Sequence, residues 1–595
     1  MNNLNIALVI LIGFWVVIAF LNKQGILERY NISAFGPILM VRTRRGQKLL
    51  TVLAEPRRFW RFFANVGVPM MLIGMLIMFV LIILTDYAML KMLYDGAMLP
   101  SGKYNAPQNI FLIPGVNEFI PLVWGAIGLL VTLVVHELAH AILCRVEGID
   151  VKSMGVVLFG VIPIGGFAEP DEVQLFGKKA ETGSAEPGNL STGFGYDRAI
   201  DHHPNDETAE QRREGNAGST SRSTSTVSTE TTASTASTGA PRSSRIRILV
   251  AGVMANFVVA LIAFALFFGP ALGGIAPASN VAVISVEENS SAAYAGIKEG
   301  MVITQVDDVI VTTAHDFYTH MSTRPDAPLV MHTRKRATSD TFHIDEQDAT
   351  LQKGVMIWEV LENSSAAQAN ITKGVTITMI NDTKIGCTTD FIAFLNTTAP
   401  NQTIELFFEG NNSSIMELGS SPDRSCGYMG VVATTKLEFA GMSIGEYPAA
   451  EKLHILKKIP SMMDRAEGWI IIFVLPFVGF DGSGFSGFGE IMQFYEPVGW
   501  AADYGVLVFW IASALLWIGW INFYAGLFNC LPAVPLDGGH VFKDIIHSLF
   551  GRFVSDHGAE QLSRSIAVAF AVLILASFVF MIFGPVIVDL IAGFS

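Results

Sequence analysis

Charged residues are scarce in this chain of 595 residues, since they make up 15% of the sequence, whereas soluble proteins average about 25%. Hydrophobic residues make up 51%, which disfavours a single soluble globule and a disordered protein. Four cysteines are too few for the disulfide framework of a secreted module. Basic residues (39) are outnumbered by acidic ones (53), and the net charge of −14 disfavours a nucleic-acid-binding protein, which needs a basic face.

The apolar residues are concentrated in long stretches that are free of charged residues, except that polar residues, including Glu137, interrupt the third. A helix needs about 20 residues to cross a bilayer, and the stretches of this length are 4–22, 63–85, 119–144, 248–269, 505–530 and 565–588. A further stretch, 469–480, contains Pro476 and is too short to span, which predicts an interfacial or re-entrant segment. The first stretch lacks a basic n-region and an obvious cleavage site, so we expect a signal anchor. The predicted fold class is a polytopic α-helical membrane protein with about six transmembrane helices.

The distribution of Lys and Arg predicts the orientation of these helices, because cytoplasmic loops carry more of both. Nine basic residues lie between the first two predicted spans, whereas only Lys91 and Lys103 lie between the second and third. The first loop is therefore expected in the cytoplasm, as are 145–247 and 531–564. Residues 270–504 and both termini are expected outside. The predicted location is a cell membrane, with the lipid bilayer as a partner.

Asparagine acceptors for glycosylation are concentrated in the predicted outer region. Such Asn-x-Ser/Thr tripeptides matter only on an extracytoplasmic surface, which agrees with the predicted orientation. Chance occurrence in a Ser/Thr-rich chain is the alternative, and the sequence does not decide between the two. The excess of acidic over basic residues, together with these acceptors, resembles the composition of archaeal surface proteins. The acceptors are Asn289, Asn363, Asn370, Asn381, Asn396, Asn401, Asn411 and Asn412.

A polar segment at 178–247 separates two predicted spans. Most residues within 219–238 are Ser or Thr, and no apolar period is present. This composition predicts a disordered cytoplasmic linker. His202 and His203 lie in it, and we interpret them as linker residues and not as metal ligands.

Two segments of the predicted outer region have similar sequences and align without gaps. Residues 286–311 read VEENSSAAYAGIKEGMVITQVDDVIV and residues 360–385 read VLENSSAAQANITKGVTITMINDTKI, with half of the aligned positions identical. The pattern resembles PDZ domains of the kind attached to proteases. It departs from them in two ways: Asn370 replaces Gly296 in the second copy, and both copies lack the Asp after the later Gly. We predict α+β PDZ-like domains at 280–358 and 359–435.

PDZ domains usually bind an extended C-terminus as an added strand. The segment Gly427-Tyr-Met-Gly-Val431 fits a loop that binds the terminal carboxylate, and an ordinary strand and turn is the alternative interpretation. Cys387 and Cys426 lie in or beside the second copy, and whether they form a disulfide bond is left open by the sequence.

The third predicted span contains the sequence His136-Glu137-Leu-Ala-His140. Residues four apart lie on one face of a helix, so the two imidazoles can bind one Zn²⁺ while Glu137 accepts a proton from water, as in HExxH peptidases. His and Glu inside an apolar span are costly, and a metal would compensate for them. A polar patch that lines a conduction path is the alternative interpretation.

A catalytic zinc needs a third protein ligand and an open position. The fifth predicted span ends with the sequence NCLPAVPLDGGH, in which Asp537 is the expected ligand. Prolines and glycines around it are expected to prevent a regular helix. Non-helical backbone is tolerated at membrane depth only where protein or water makes hydrogen bonds with its N–H and C=O groups. His540 is expected to be structural, because a fourth protein ligand would close the open position. Cys144 and Cys530 are interpreted as small apolar fillers.

With these motifs the chain resembles the site-2 proteases, which are intramembrane zinc metalloproteases. HELAH matches the family's zinc motif, and NCLPAVPLDGG matches its N-x-x-P-x-x-P-x-D-G. Gly252-Val-Met-Ala-Asn256 matches its G-x-x-x-N, and residues 155–167 resemble its membrane re-entrant β-hairpin. These matches extend from the third to the fifth predicted span.

The resemblance implies one Zn²⁺ per chain, bound by His136, His140 and Asp537, with Glu137 as general base. It also implies that Asn529 holds the substrate backbone or the oxyanion, and that a re-entrant strand at about 156–164 pairs with the unwound substrate. Asn256 would support that hairpin. The residues expected to give structural support are Gly252, Asn256, Pro163, Gly165, Gly166, Pro532, Pro535, Gly538 and Gly539.

The sequence therefore predicts an intramembrane zinc metalloprotease that cleaves transmembrane segments of membrane proteins. Its PDZ-like domains would filter or bind substrates that another protease has already trimmed. A non-proteolytic PDZ scaffold with a structural metal is the main alternative, but such a site would not need Glu137. A metal transporter would need acid or His relays in further spans, and none is visible. The sequence predicts neither the oligomeric state nor the substrate.

The predicted regions follow from these assignments. They are 1–118 with two helices and a basic loop, 119–177 with the catalytic helix and hairpin, the linker 178–247, 248–270 with the G-x-x-x-N helix, the two PDZ-like domains, an interfacial connector at 436–504, and 505–595 with the last two helices.

Overall fold

The computed structural model describes residues 3–35, 38–43, 47–94, 109, 113–159, 162–176, 239–323, 328–335, 338–344, 351–361, 364–410, 412–420, 425–478 and 485–592. The chain divides into two compact units. Unit 1 comprises Met1–Met98, Leu133–Ala255 and Gly526–Gly584, and unit 2 comprises Leu99–Thr132, Asn256–Ala525 and Pro585–Ser595. Most of the predicted linker, including its His pair, lies outside the described residues.

The helices carry the long apolar stretches of the sequence. Helix α7 continues through a π-helical segment at Phe267–Ala271, and short 3₁₀ segments occur at Ile459–Met462, Glu490–Phe494 and Gly499–Tyr504. In chain order the α-helices are α1 Asn3–Lys23, α2 Ile26–Arg29, α3 Gln47–Leu53, α4 Arg57–Tyr94, α5 Leu122–Glu147, α6 Glu172–Phe176, α7 Arg242–Leu266, α8 Ser291–Ala295, α9 Ala314–Thr323, α10 Ser365–Gln368, α11 Thr388–Asn396, α12 Ala449–Lys458, α13 Ala466–Val478, α14 Leu507–Asn529, α15 Asp537–Phe550 and α16 Asp556–Ala592.

Five helices of the described chain are long and apolar enough to cross a membrane. They coincide with the second to sixth predicted spans. Their bounds are Arg57–Tyr94, Leu122–Glu147, Arg242–Ala271, Leu507–Asn529 and Asp556–Gly584. The first predicted span corresponds to a shorter apolar helix, Ile12–Lys23, within α1, so a sixth span stays a prediction. The described part of the stretch predicted to be too short to span, 469–478, lies in the apolar helix α13.

The strands belong to one small sheet, one large sheet and two strand pairs. In chain order they are β1 Ile32–Phe35, β2 Ile38–Thr43, β3 Val151–Phe159, β4 Ile162–Pro170, β5 Ile275–Pro277, β6 Val281–Val286, β7 Val302–Val306, β8 Val309–Ile310, β9 Leu329–Lys335, β10 Thr338–Ile344, β11 Gln352–Val360, β12 Thr376–Ile380, β13 Thr383–Lys384, β14 Thr403–Phe408, β15 Ser413–Glu417, β16 Gly419–Ser420, β17 Gly427–Tyr428, β18 Val431–Phe439, β19 Met442–Glu446 and β20 Tyr495–Pro497.

The small sheet lies in unit 1 and has the order β1-β2-β3-β4. All its neighbouring strands are antiparallel: β3 pairs with β4 from Val151↔Pro170 to Phe159↔Ile162, and with β2 from Thr43↔Met154 to Ile38↔Phe159. Strands β1 and β2 differ from the sequence prediction, which gives only a basic loop for this stretch. Two short apolar runs around Gly36-Pro37 are the turn signal that could have revealed them.

The large sheet of unit 2 contains two hydrophobic cores. Its main path has the order β10-β9-β7-β6-β19-β18-β11-β12-β14-β15. One core combines residues of β6, β7 and β9 with Leu437 and Ile444 of β18 and β19. The other combines Val355 and Ile357 of β11 with residues of β12 and β14. We name β6–β10 with β19 the first β module, and β11–β15 with β18 the second β module.

The two β modules are nested, and not consecutive as the boundary at 358/359 implied. The second module lies in sequence between β10 and β19, both of which belong to the first. Strand β11, which the sequence boundary divided, packs in the second core. The boundary at 435 likewise divides β18, whose end packs in the first core. Sequence similarity could not locate β19, the strand that completes the first module after the second one, because β19 lies outside the repeated segment.

Equivalent positions of the two repeated segments have matching local structure. Ser290 and Ser364 each cap a helix. The side-chain oxygen accepts a hydrogen bond from the backbone N–H of the residue three positions later, at 3.2 Å in both modules. Gly296 and Asn370 both have positive φ, at 92° and 56°. Asn is one of the few other residues that adopt this left-handed conformation readily, which explains why it replaces glycine in the second copy.

The cysteines are all free thiols. Cys387 is buried, and its Sγ lies 3.8 Å from Nδ1 of His315. Cys426 instead lies 3.9 Å from Oδ1 of Asn396. The structure therefore contains no bond between Cys387 and Cys426. Cys144 and Cys530 are buried in the described chain, as expected for small fillers.

Candidate metal centre

The HExxH residues lie in the second half of α5, in unit 1. The ring centroids of His136 and His140 are 4.6 Å apart, and their Nε2 atoms are 3.0 Å apart. One helical turn therefore places both imidazoles on one face, as the spacing predicts. Buried residues around them, including Ala139, Leu143 and Ala251, form the hydrophobic core of this part of unit 1.

Asp537 completes the cluster from a distant part of the chain. Its Oδ2 lies 3.2 Å from Nε2 of His136 and 3.3 Å from Nε2 of His140. Zinc bonds of about 2.0–2.2 Å in a tetrahedral site place neighbouring N and O ligands about 3.3 Å apart. Two imidazole nitrogens and a carboxylate oxygen are ligand types that zinc prefers. Their chemistry and mutual distances therefore fit three ligands of one zinc ion.

A backbone carbonyl orients one of the histidines. Nδ1 of His140 lies 2.8 Å from the carbonyl oxygen of Ile248 on α7. Since a carbonyl only accepts, Nδ1 donates, and Nε2 is left as the acceptor nitrogen that faces Asp537. Such a hydrogen bond fixes the tautomer and the ring orientation of metal-binding histidines.

Gly252 of α7 provides the space for the imidazole pair. A Cβ atom at this position would lie 2.5 Å from Nε2 of His140 and 2.7 Å from Cε1 of His136. Either distance is far below van der Waals contact. The G-x-x-x-N motif therefore supplies a glycine where the histidines approach the backbone of the neighbouring helix. Asn256 lies one turn later on α7 and is buried, but its support of the hairpin stays a prediction.

Strand β4 contacts Glu137. A Cβ atom on Gly166 would lie 2.5 Å from Cγ of Glu137 and 3.2 Å from the carbonyl oxygen of Leu133. Glycine at this position therefore lets the strand lie directly against α5. Pro163 and Gly165 are in the same strand, paired with Leu158 and Val157 of β3. The proposed base thus lies beside a strand of the small sheet.

The order of the strands in the small sheet corrects the prediction of which segment pairs with the substrate. Residues 156–159 belong to β3, which is already paired with β2 on one side and β4 on the other. A strand with two neighbours has no free edge for a third. Strand β4 ends the described sheet, so it is β4, and not the 156–159 part of the predicted segment, that can accept an added strand.

The glycines after Asp537 have a different role from the one expected. Gly538 and Gly539 do not break a helix, because they lie in the first turn of α15, which begins at Asp537. Cβ atoms on them would lie within 2.5 Å of backbone atoms of Cys530 and Ala533. They therefore let the helix pack closely on the preceding loop, which holds Asp537 in place.

The other predicted site residues lie around this loop. Asn529 is the last residue of α14, and the loop after it contains Pro532, which is buried, and Pro535, which is exposed. His540 lies in α15 but does not belong to the cluster formed by His136, His140 and Asp537 among the described residues. Its structural role stays a prediction.

An ion pair connects α15 to α7. Arg245 donates to both carboxylate oxygens of Asp544, at 2.8 and 3.2 Å, and their side chains are 19% and 12% exposed. Nearby, Glu147 of α5 accepts hydrogen bonds from Arg61, Arg247 and Ser244. These pairs join the helices that carry the three candidate ligands and Gly252.

Removing Asp544 is expected to destabilise unit 1. Asp544→Ala leaves Arg245 partly buried without its carboxylate, which costs about 3 kcal/mol of unfolding free energy. Lys543→Ala is the matched control, because its partner Glu560 is 49% exposed and surface pairs contribute about 1 kcal/mol or less. Thermal unfolding in detergent should show a clearly larger loss for Asp544→Ala, and equal losses would contradict the structural role of the pair.

Two histidines on one helix, a carboxylate from the start of another and a glutamate beside the first histidine define a centre of the metallopeptidase type. A model of peptidase family M50 matches residues 124–574. The chain belongs to this family, which confirms the resemblance to site-2 proteases at the family level.

Curated relatives are similar to parts of the chain. An uncharacterized protein of Methanocaldococcus jannaschii is 31% identical over 196 residues, which cover 32% of this chain and 48% of that protein. The regulator of sigma-E protease RseP of Salmonella typhimurium is 24% identical over 347 residues, 52% of this chain and 72% of that protein. A protein of Agrobacterium fabrum named as a zinc metalloprotease is 37% identical over 93 residues, 16% of this chain and 24% of that protein. The family and these names support a membrane metalloprotease that uses zinc.

Proposed function

We propose that this chain is an intramembrane zinc metalloprotease that hydrolyses peptide bonds within transmembrane segments of other membrane proteins. The observation that carries the proposal is the cluster of His136, His140 and Asp537, which lies in or beside helices apolar enough to span a bilayer. Polar residues in such helices are costly and mark functional sites. A membrane location for this cluster implies substrates that reach it within the membrane.

His136, His140 and Asp537 would hold one zinc ion in each chain. When bound, zinc supplies Lewis-acid chemistry, since it lowers the pKa of water to about 7 and polarises a carbonyl group. Ionised Asp537 and Glu137 would balance its charge, which suits an apolar setting. Three protein ligands leave a position open for water and substrate, as catalytic zinc sites require.

Glu137 is proposed as the general base and acid. Its side chain follows His136 directly on α5 and packs against Gly166 of β4. There it would accept a proton from the attacking water and return it to the leaving amine nitrogen. Asn529 would donate its side-chain amide to the carbonyl oxygen on which negative charge develops.

The free edge of β4 is proposed to bind the substrate backbone. A peptide bond inside a helix is shielded by its own hydrogen bonds, so the substrate must unwind before it can be cut. An unwound segment can pair with a sheet edge as an added strand. Because Gly166 of β4 contacts Glu137, pairing there would bring the peptide bond beside the base.

The test is an assay of the purified chain in detergent with a panel of single-span model substrates. Mass spectrometry would locate the cuts, and a chelator would serve as the control. The proposal expects cuts inside the spans that the chelator abolishes. A chain that binds zinc but cuts no substrate with a helix-destabilised span would instead favour a non-proteolytic scaffold.

The β modules are proposed to be PDZ-like domains that bind or filter substrates outside the cell. A cleft of about 460 Å³ lies between α11 and β18 of the second module and is lined there by Phe391, Ile392 and Val431, among others. Asn280, Glu446 and Pro448, which lie outside the second module, also line it. Within the described chain, the first residues of β18 pair only with β11. The cleft therefore has the form expected for strand addition by an extended C-terminus. The active site would lie near the cytoplasmic side.

Removal of both β modules is expected to relax substrate selection. The backbone N–H of Tyr447 donates to the carbonyl oxygen of Asn280 at 2.7 Å, so deletion of 281–446 can be closed by a short linker. Two substrates with the same span, one carrying a bulky ectodomain, would be compared. The intact chain should cut only the trimmed substrate, whereas the deletion should cut both at similar rates. Unchanged discrimination would refute the filter.

A further inference from the structure

A second cluster of side chains of the types that can bind a metal lies where the two β modules meet. His315 is on α9 of the first module, whereas Cys387 and Asp390 are at the start of α11 of the second. Nδ1 of His315 lies 3.3 Å from Oδ1 of Asp390 and 3.8 Å from Sγ of Cys387. All three candidate ligand atoms lie within 4.8 Å of one another. The cluster is separate in sequence from the candidate catalytic centre.

These distances suit a tetrahedral metal. Zinc bonds of about 2.3 Å to sulfur and about 2.0–2.1 Å to nitrogen place the two ligands about 3.6 Å apart. The other carboxylate oxygen of Asp390 accepts a hydrogen bond from the backbone N–H of Gly386 at 3.0 Å, which orients the first oxygen. Outer hydrogen bonds of this kind are typical of metal-binding carboxylates.

The first module has no thiol at the position that is equivalent to Cys387. The residue of the first module that corresponds to Cys387 is Thr313, whose Oγ1 accepts a hydrogen bond from the backbone N–H of Asp316 at the start of α9. Cys387 has the same place before α11 and makes no capping hydrogen bond. A cap residue contributes about 1 kcal/mol to helix stability. The second module instead has a thiol at this position, which packs in the first hydrophobic core and lies beside His315 and Asp390.

Access to this cluster is from the side of His315. The thiol is fully buried, whereas the His315 side chain is 47% exposed and that of Asp390 is 23% exposed. A metal ion arriving from solvent would meet the imidazole and the carboxylate first. The fourth position would then be open to water.

We propose that His315, Cys387 and Asp390 form a second metal site, which takes a divalent transition metal such as Zn²⁺ and joins the two β modules. Imidazole, thiolate and carboxylate together suit zinc better than calcium or magnesium, which prefer oxygen ligands. The metal would fix the first turn of α11 to α9. Because Thr388, Phe391 and Ile392 of α11 line the cleft of the second module, the site would also hold one wall of that cleft in place.

The test uses the full-length chain in detergent, stripped of metal and titrated with Co²⁺. A thiolate ligand gives cobalt a near-ultraviolet charge-transfer band, and the ligands proposed for the catalytic centre include no sulfur. Wild type should develop the band. Cys387→Ser should lose it, and His315→Ala should bind at least about a hundredfold more weakly, since loss of an outer-shell partner alone costs about 10–100-fold.

Cys426→Ser is the matched control, because Cys426 lies in the same β-rich region outside the cluster. It should keep the band at full intensity. His315 is half exposed, so its variant should fold even if the buried Cys387→Ser does not, and circular dichroism of the metal-free proteins checks this. A wild type without the band, or a band unchanged in both His315→Ala and folded Cys387→Ser, would overturn the proposal.

Discussion

Gly252→Ala is expected to abolish proteolysis and to weaken zinc binding strongly. The added methyl group would lie 2.5 Å from Nε2 of His140 and 2.7 Å from Cε1 of His136, so both imidazoles must move. A displacement of about 1 Å at a catalytic centre can cost about a hundredfold in rate. Within a helix, alanine is otherwise more favourable than glycine by about 0.5–1 kcal/mol. The defect should therefore appear in zinc content and rate while α7 remains folded.

Gly269→Ala provides the matched control for this substitution. Gly269 lies in the π-helical continuation of α7, and a Cβ atom there would have no neighbour within 4 Å. This variant should keep wild-type zinc content and activity. If Gly252→Ala also retained both, then the histidines would not be held against α7 as the structure describes.

Glu137→Gln is expected to remove activity but not zinc. The amide has the size of the carboxylate but cannot accept the proton, and general acid–base catalysis contributes about 10²–10⁴-fold. Glu137 is not among the clustered ligand atoms, so the zinc content should match that of wild type. Rates from single-span substrates and zinc analysis of the same samples give both quantities.

Asp537→Asn distinguishes the ligand from the base. Its carboxylate oxygen lies within 3.3 Å of both imidazole nitrogens, so this variant should lose zinc as well as activity. A Glu137→Gln protein that lost zinc, or that cut substrates at the wild-type rate, would contradict the assignment of Glu137 as base.

The candidate ligands could be predicted from sequence because their geometry follows from local rules. His136 and His140 share a helix face through their spacing alone, and the structure places their Nε2 atoms 3.0 Å apart. Asp537 is 397 positions away from His140, so no local rule brings the two together, and it was assigned from its motif at the end of the fifth predicted span. The structure brings its carboxylate to the histidines, and its role as a zinc ligand remains a proposal.

The close approaches around the site could not be predicted, because they depend on which backbones pack together. Gly538 and Gly539 suggested a broken helix, since glycine has a low helix propensity. In the structure they lie in the first turn of α15 and let it contact the backbone from Cys530 to Ala533. The contact between Gly166 and Glu137 likewise depends on the position of β4 against α5, which no local pattern specifies.

The nested β modules show a similar limit. Similarity between the two repeated segments revealed the equivalent positions, including Ser290 and Ser364. It could not reveal that the first core is completed by Leu437 and Ile444. These residues follow the second copy in sequence, and a returning strand that lies outside the repeated segment leaves no signal in that repeat.

The most direct test of the central claim is a zinc titration of the metal-stripped Cys387→Ser chain, in which the proposed second site is absent. The rate of in-span cleavage would be measured at each zinc addition. The account predicts that activity rises from zero and saturates at one zinc per chain, and that no zinc restores Glu137→Gln in the same background. Cleavage without zinc, or saturation only at two or more zinc ions per chain, would contradict it.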